Sequence, residues 1–140
     1  MNKNIVVGID PGVKTGFAVW NIENQEFMHL KTLSIIQAIH ELKPFIYCLR
    51  EIRVEDARLR TWFGKSGREK LQGVGSVKRD CAIWQEFCEY HKIPFLAIKP
   101  ESGSTKWTSE YFKRVTGWTG RTSVHARDAG VLVYGIIKEI

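Results

Sequence analysis

The chain has little cysteine, no long apolar run and no repetition, and each shortage removes a class of protein. Its three cysteines are Cys48, Cys81 and Cys88. They are odd in number and lack CxxC spacing, which argues against a disulfide framework or a zinc site and for a reducing compartment. No apolar stretch is long enough to span a bilayer, so no membrane partner is expected. The N-terminus runs straight into an apolar, β-branched segment, and no secretory leader is read there. There is no internal repeat, low-complexity tract or linker. The 140 residues fit one domain over 1–140 with room for a real core.

What is present is positive charge and a strong opening motif. The formal net charge is +6 and the pI about 9.3. A basic domain suits a polyanionic partner, usually nucleic acid or a membrane surface. Ile5, Val6, Val7 and Ile9 suit a strand buried on both faces, and Pro11-Gly12 turns the chain after Asp10. A carboxylate at that position is costly unless something pairs with it. A metal ion would do so; a turn-organising role for Asp10 is the alternative.

The rest of the chain reads as β-β-β-α-β-α-β-α-α. Gly16 to Ile22 and Glu26 to Leu33 complete an antiparallel meander. Ser34 caps a helix with Ile35, Ile36, Ile39 and Leu42 on one face, stopped by Pro44. Tyr47 to Val54 is a fourth strand, reached by a crossover and so parallel to the first. Ala57 to Ser76, rich in glycine, reads as a long structureless segment of the kind that is functional or disordered. A helix follows over Val77 to Tyr90, with Val77, Cys81, Trp84, Phe87 and Cys88 as its apolar stripe. Ile93 to Ile98 is a fifth strand. Thr105 to Val115 is a short helix, and Ser123 to about Glu139 a final one with Val124, Val131, Leu132 and Ile136 inward. The expected fold is α/β: a five-stranded mixed sheet, three-stranded antiparallel meander plus two parallel strands, with helices on both faces.

This topology sends chemistry to one edge. Asp10 ends the first strand and Glu55 the fourth, about 4.8 Å apart at the backbone if the strands are neighbours. Two carboxylates that close repel unless a cation bridges them. His125 and Asp128 share one face of the last helix at i, i+3. These four residues are candidate ligands for Mg²⁺ or Mn²⁺, and two such ions would suit phosphodiester hydrolysis. Singly, each has a plainer reading: Glu55 and Asp56 as a solvated strand end, His125 as a surface histidine, Asp128 as a partner of Arg121 or Arg127. Arg58, Arg60, Lys65, Arg68 and Lys70 can track phosphates. Trp62 and Phe63 can stack on exposed bases, or pack on the core or a second subunit.

The opening Ile-Val-Val-Gly-Ile-Asp-Pro-Gly-Val-Lys-Thr-Gly-Phe-Ala resembles the first hairpin of the RuvC family of Holliday junction resolvases. The likeness extends to Glu55 in Arg-Val-Glu-Asp, to the glycine-containing stretch from Gly73, and to His125-Ala-Arg-Asp128. The family's common pair at the last site is two aspartates, with His a variant at the first. The resemblance implies a ribonuclease-H-like fold and Asp10, Glu55, His125 and Asp128 as metal ligands. It also implies a homodimer cutting four-way or branched DNA to leave 5′-phosphates, in a bacterial or phage-infected cytoplasm. Lys99 and Lys106 fall near basic residues that the family places around its fifth strand. Where the family commonly carries a Phe three residues after the strand-four Glu, this chain has Arg58. A nuclease for RNA or other branched DNA, or an inactive nucleic-acid-binding module, would share these features. Sugar kinases and other actin-like ATPases begin similarly but are much longer and use further phosphate loops.

Overall fold

The computed structural model describes residues 2–60, 68–100 and 106–139. Five strands form one mixed sheet in the order β3-β2-β1-β4-β5. β1 (Ile5–Asp10), β2 (Thr15–Asn21) and β3 (Glu26–Leu33) are the antiparallel meander. β4 (Leu49–Glu55) and β5 (Phe95–Ile98) join it in parallel. Four helices pack on the sheet: α1 (Ile35–Leu42), α2 (Arg68–His91), α3 (Ser109–Thr116) and α4 (Val124–Val131).

The two faces have different cores. On one, Ile5, Val7, Ile9, Phe17, Val19, Ile52 and Val54 meet α1 and α2, with Cys81, Trp84 and Cys88 fully buried. Thus the α2 stripe packs as its spacing demands. On the other, Val6, Ala18 and Trp20 meet Phe112 of α3 and Ala129 and Val133 in and beyond α4. Phe27, Trp107, Trp118 and Tyr134 fill in around them. Among the described residues no helix is long and apolar enough to cross a membrane.

Several boundaries differ from the sequence reading. α2 begins at Arg68 rather than Val77. Glu69, Lys70, Leu71 and Gln72 are strong helix formers and carry the helix through Gly73 and Gly75, each costing about 1 kcal/mol relative to Ala. β4 starts at Leu49 because Lys43–Cys48 forms a 3₁₀ turn with Pro44 near its start. α3 starts at Ser109, capped by the Thr108 hydroxyl, so Lys106 and Trp107 precede it.

α4 stops at Val131 rather than near Glu139. Beyond it the bonds tighten to the i→i+3 kind, Val133 N–H donating to the Gly130 carbonyl, and Gly135 turns the chain at φ +77°. The freed Ile136 carbonyl accepts from Trp20 Nε1 at 3.0 Å and Gln25 Nε2 at 2.8 Å. Val124 and Ile36, read as inward, are exposed, while Ala126 and Ala38 take the inner positions.

Candidate metal centre

The β1–β4 register pairs Ile9 with Val54, so Asp10 and Glu55 follow side by side at the carboxyl edge. Alternation then decides their direction. Ile9 and Val54 point into the α1–α2 core, so Asp10 and Glu55 point to the α4 face. The turn after Asp10 is closed by the Thr15 hydroxyl donating to the Gly12 carbonyl at 3.0 Å. Asp10 spends its carboxylate elsewhere, on His125.

Two glycines bring α4 down onto this edge. A Cβ on Gly8 would collide with the Ala129 carbonyl oxygen, and one on Gly16 with the His125 carbonyl oxygen. Gly16 is also the β2 partner of Asp10. The helix backbone therefore rests directly on β1 and β2, and Ala126, Ala129 and Gly130 present no bulk to hold it away. Ser123 starts α4 by accepting from the Ala126 N–H at 3.0 Å. Arg127 secures the approach by donating to the carbonyls of Trp107 at 3.2 Å and Thr122 at 2.8 Å.

The result is a group of three carboxylates from three distant elements. Asp10, Glu55 and Asp128 each offer an oxygen, and these oxygens all lie within 4.8 Å of one another. His125 Nδ1 lies 3.0 Å from Asp10 Oδ2, the geometry of an N–H donating to a carboxylate. The structure thus brings His125 to Asp10, and the group of three forms without it. Lys106 Nζ donates to Asp128 Oδ2 at 2.7 Å, so Asp128 pairs with neither Arg121 nor Arg127.

The electrostatics follow from this crowding. Burial, then the charges of Asp10 and Asp128, push the Glu55 carboxyl up to about 7. Burial also raises Asp10, against the opposing pull of its bond to His125. Burial would lower Lys106, but Asp128, Glu55 and Asp10 together raise it. Three oxygen ligands that resist sharing negative charge are a donor set suited to a hard divalent cation.

The remaining sequence candidates divide. Lys99 and Lys106 line a groove with Glu55 and Asp128, beside Arg53 and Trp107. Arg60 is exposed, and its charge lowers Glu55. Arg58 is tied to Asp56, with Nη2 at 2.6 Å from Oδ2 and Nε at 2.9 Å from Oδ1. Arg68 and Lys70 lie in the opening turns of α2. Trp62, Phe63 and Lys65 lie outside the described residues.

Sequence reasoning missed Gly8, Gly16, Glu51 and Arg53. The signals were present: glycines on the same face of β1 and β2, and charges at alternate positions of a central strand. No protein-family model matches the chain, and no curated protein matches it significantly.

Proposed function

We propose that the chain is a divalent-metal-dependent, structure-selective endodeoxyribonuclease that resolves four-way DNA junctions, with a ribonuclease-H-like fold of the RuvC kind. One observation carries this reading. Asp10, Glu55 and Asp128, from β1, β4 and α4, converge within 4.8 Å at the carboxyl edge of the sheet, where open α/β sheets build their sites. The opening hairpin motif and the +6 charge support the same reading.

Asp10, Glu55 and Asp128 would hold Mg²⁺ or Mn²⁺. When bound, such ions supply an activated water and stabilise the leaving oxygen of a phosphodiester, two being the usual number. The chain's own groups do the rest. His125 orients Asp10 through Nδ1, as the outer partners of ligands do. Lys106 holds Asp128 and sets a positive charge where a phosphate would approach. Lys99 extends that charge along the groove. Symmetric cutting of a four-way junction needs two such centres, hence a homodimer.

The test is nicking of a labelled synthetic four-way junction, with a plain DNA duplex and an RNA duplex beside it, in Mg²⁺, Mn²⁺ or EDTA. The expected result is paired nicks on the junction, dependent on the cation and leaving 5′-phosphates. Asp10→Asn should bind the junction like the wild type and leave it intact, because phosphate contacts dominate affinity. Preferential cutting of RNA would move the substrate assignment. Junction cutting by Asp10→Asn at the wild-type rate would remove the site.

A further inference from the structure

β4 lies between β1 and β5, and an internal strand of a parallel pair normally buries apolar residues on both faces. One face of β4 does so, with Ile52 and Val54 fully buried. The other carries Glu51, Arg53 and Glu55 in alternation. α4 lies across β2, β1 and β3, and two members of the charged stripe, Arg53 and Glu55, line a groove with Lys99, Lys106 and Asp128.

Glu51 is 7 % exposed and is gripped by two arginines. Arg53 Nε donates to its Oε2 at 2.6 Å and Arg50 Nε to its Oε1 at 3.1 Å. Arg50 also donates from Nη1 to the Ile137 carbonyl at 3.2 Å. A single buried carboxylate needs one cation for neutrality and here has two. Arg50 is also committed to the Ile137 carbonyl, whereas Arg53 lines the groove. Glu51 engages only its Nε, and among the described residues its two Nη groups make no hydrogen bond. A guanidinium braced at Nε with both Nη groups left over is a preorganised donor for phosphate oxygens. It stands two residues before Glu55 on the same face, about 6.6 Å along the strand, the scale of one nucleotide step.

We infer that Arg53 is a positioning residue that binds the phosphodiester next to the one cleaved, with Glu51 as its brace. This rests on the endonuclease reading and adds a direction to it: the cut strand runs from the carboxylates back along β4 toward Arg53, away from Lys99 at the carboxyl edge.

The experiment measures binding of a synthetic four-way DNA junction in EDTA over a range of salt, and single-turnover cleavage in Mg²⁺. The proteins are the wild type, Arg53→Gln, Arg53→Lys and the double variant Glu51→Gln/Arg53→Gln. Arg53→Gln should bind about tenfold more weakly, the order expected for one charge-assisted contact. Its log–log salt slope should fall by about 0.9. The loss should appear in the half-saturating concentration and leave the maximal rate nearly intact. Arg53→Lys should keep the salt slope and recover only part of the affinity. A neutral methylphosphonate beside the cut bond should weaken the wild type by the same factor and Arg53→Gln no further.

The double variant removes Arg53 together with the buried carboxylate that braces it, so it separates folding from binding. If it melts, binds and cuts like the wild type with an unchanged salt slope, Arg53 only neutralises Glu51 and the inference is overturned. A wild type that binds junctions but cuts no nucleic acid in either metal would sink the endonuclease reading alone, while the slopes still decide Arg53.

Discussion

Glu55 and Asp56 are consecutive residues with opposite surroundings. Asp56 is 1 % exposed and turned toward Cys81 of α2. Arg58, two residues on, gives it three side-chain contacts of 2.6–3.1 Å and a backbone N–H at 3.0 Å. Burial alone would raise its carboxyl, but Arg58 outweighs burial and holds it below the ordinary value. Glu55 faces the other way. Among the described residues no cation bonds it, and burial with Asp10 and Asp128 drives it to about 7. A carboxylate that serves the fold carries its counter-charge within its own turn. Glu55, proposed to serve a cation, is instead set among other acids.

Breaking each member should have opposite consequences. Glu55→Gln should lower junction cleavage at least about a thousandfold, since metal stabilisation of such a reaction is worth several kcal/mol. The same change should raise the melting temperature of the metal-free protein above neutral pH. Arg58→Gln should instead cost stability, roughly 3 kcal/mol, because it strands a buried charge. Asp56→Asn added to it should restore most of the loss. Chemical denaturation of the four proteins in EDTA checks the stability half, and a metal-free Glu55→Gln protein less stable than wild type at pH 8 would contradict the comparison.

The pH dependence sharpens it. The Glu55 pKa is raised from 4.5 to about 7, so its protonated form favours the fold. That contribution is full below about pH 4.5 and is lost as pH rises through 7. Metal-free stability should therefore decline between pH 5 and 8 by on the order of 3 kcal/mol. Saturating Mg²⁺ or Mn²⁺ should reverse the decline, and Glu55→Gln should flatten it. Asp56 works with the opposite sign: its lowered pKa gives stability above its ordinary 3.8 that is lost in acid. Thermal melts across this range, with and without cation, read both.

Gly16 tests whether the acids depend on the descent of α4. Gly16→Ala should push the His125 carbonyl away and with it the spacing of Asp128 from Asp10. A misplacement near 1 Å costs about a hundredfold in rate, and titration with Mn²⁺ should show weakened binding. A folded Gly16→Ala protein with unchanged cation affinity and rate would mean that α4 tolerates the lift.

The smallest effect expected is at His125. As the orienting partner of Asp10, its loss in His125→Ala should weaken cation affinity about tenfold, the low end for such partners. If His125 instead ligates directly, His125→Ala should lose most cation binding and activity, and His125→Asp should restore an all-oxygen site. Cation titrations of the two variants distinguish these roles.

The three-plus-two strand arrangement was legible because short runs rich in Val, Ile and Phe are bounded by Asp10-Pro11-Gly12, Asn24 and Pro94. The start of α2 was hidden, because Gly73 and Gly75 speak against helix while Glu69 to Gln72 speak for it. The end of α4 was hidden as well. The partners that replace its helical bonds, Trp20 and Gln25, lie more than a hundred residues away. In the site, Asp10 and Glu55 could be joined from topology, since equivalent ends of adjacent parallel strands lie side by side. His125 and Asp128 could be placed on one helix face by their spacing.

The sequence by itself determined the strands, their order of connection and the identity of the acids, because these depend on local periodicity and on which residues end a strand. The tertiary structure alone decided that α4 rests on Gly8 and Gly16, that Lys106 holds Asp128, and that His125 meets Asp10. Those choices depend on which backbone can approach which within a few ångströms. No spacing along the chain encodes that distance; it is set when helix and sheet are packed.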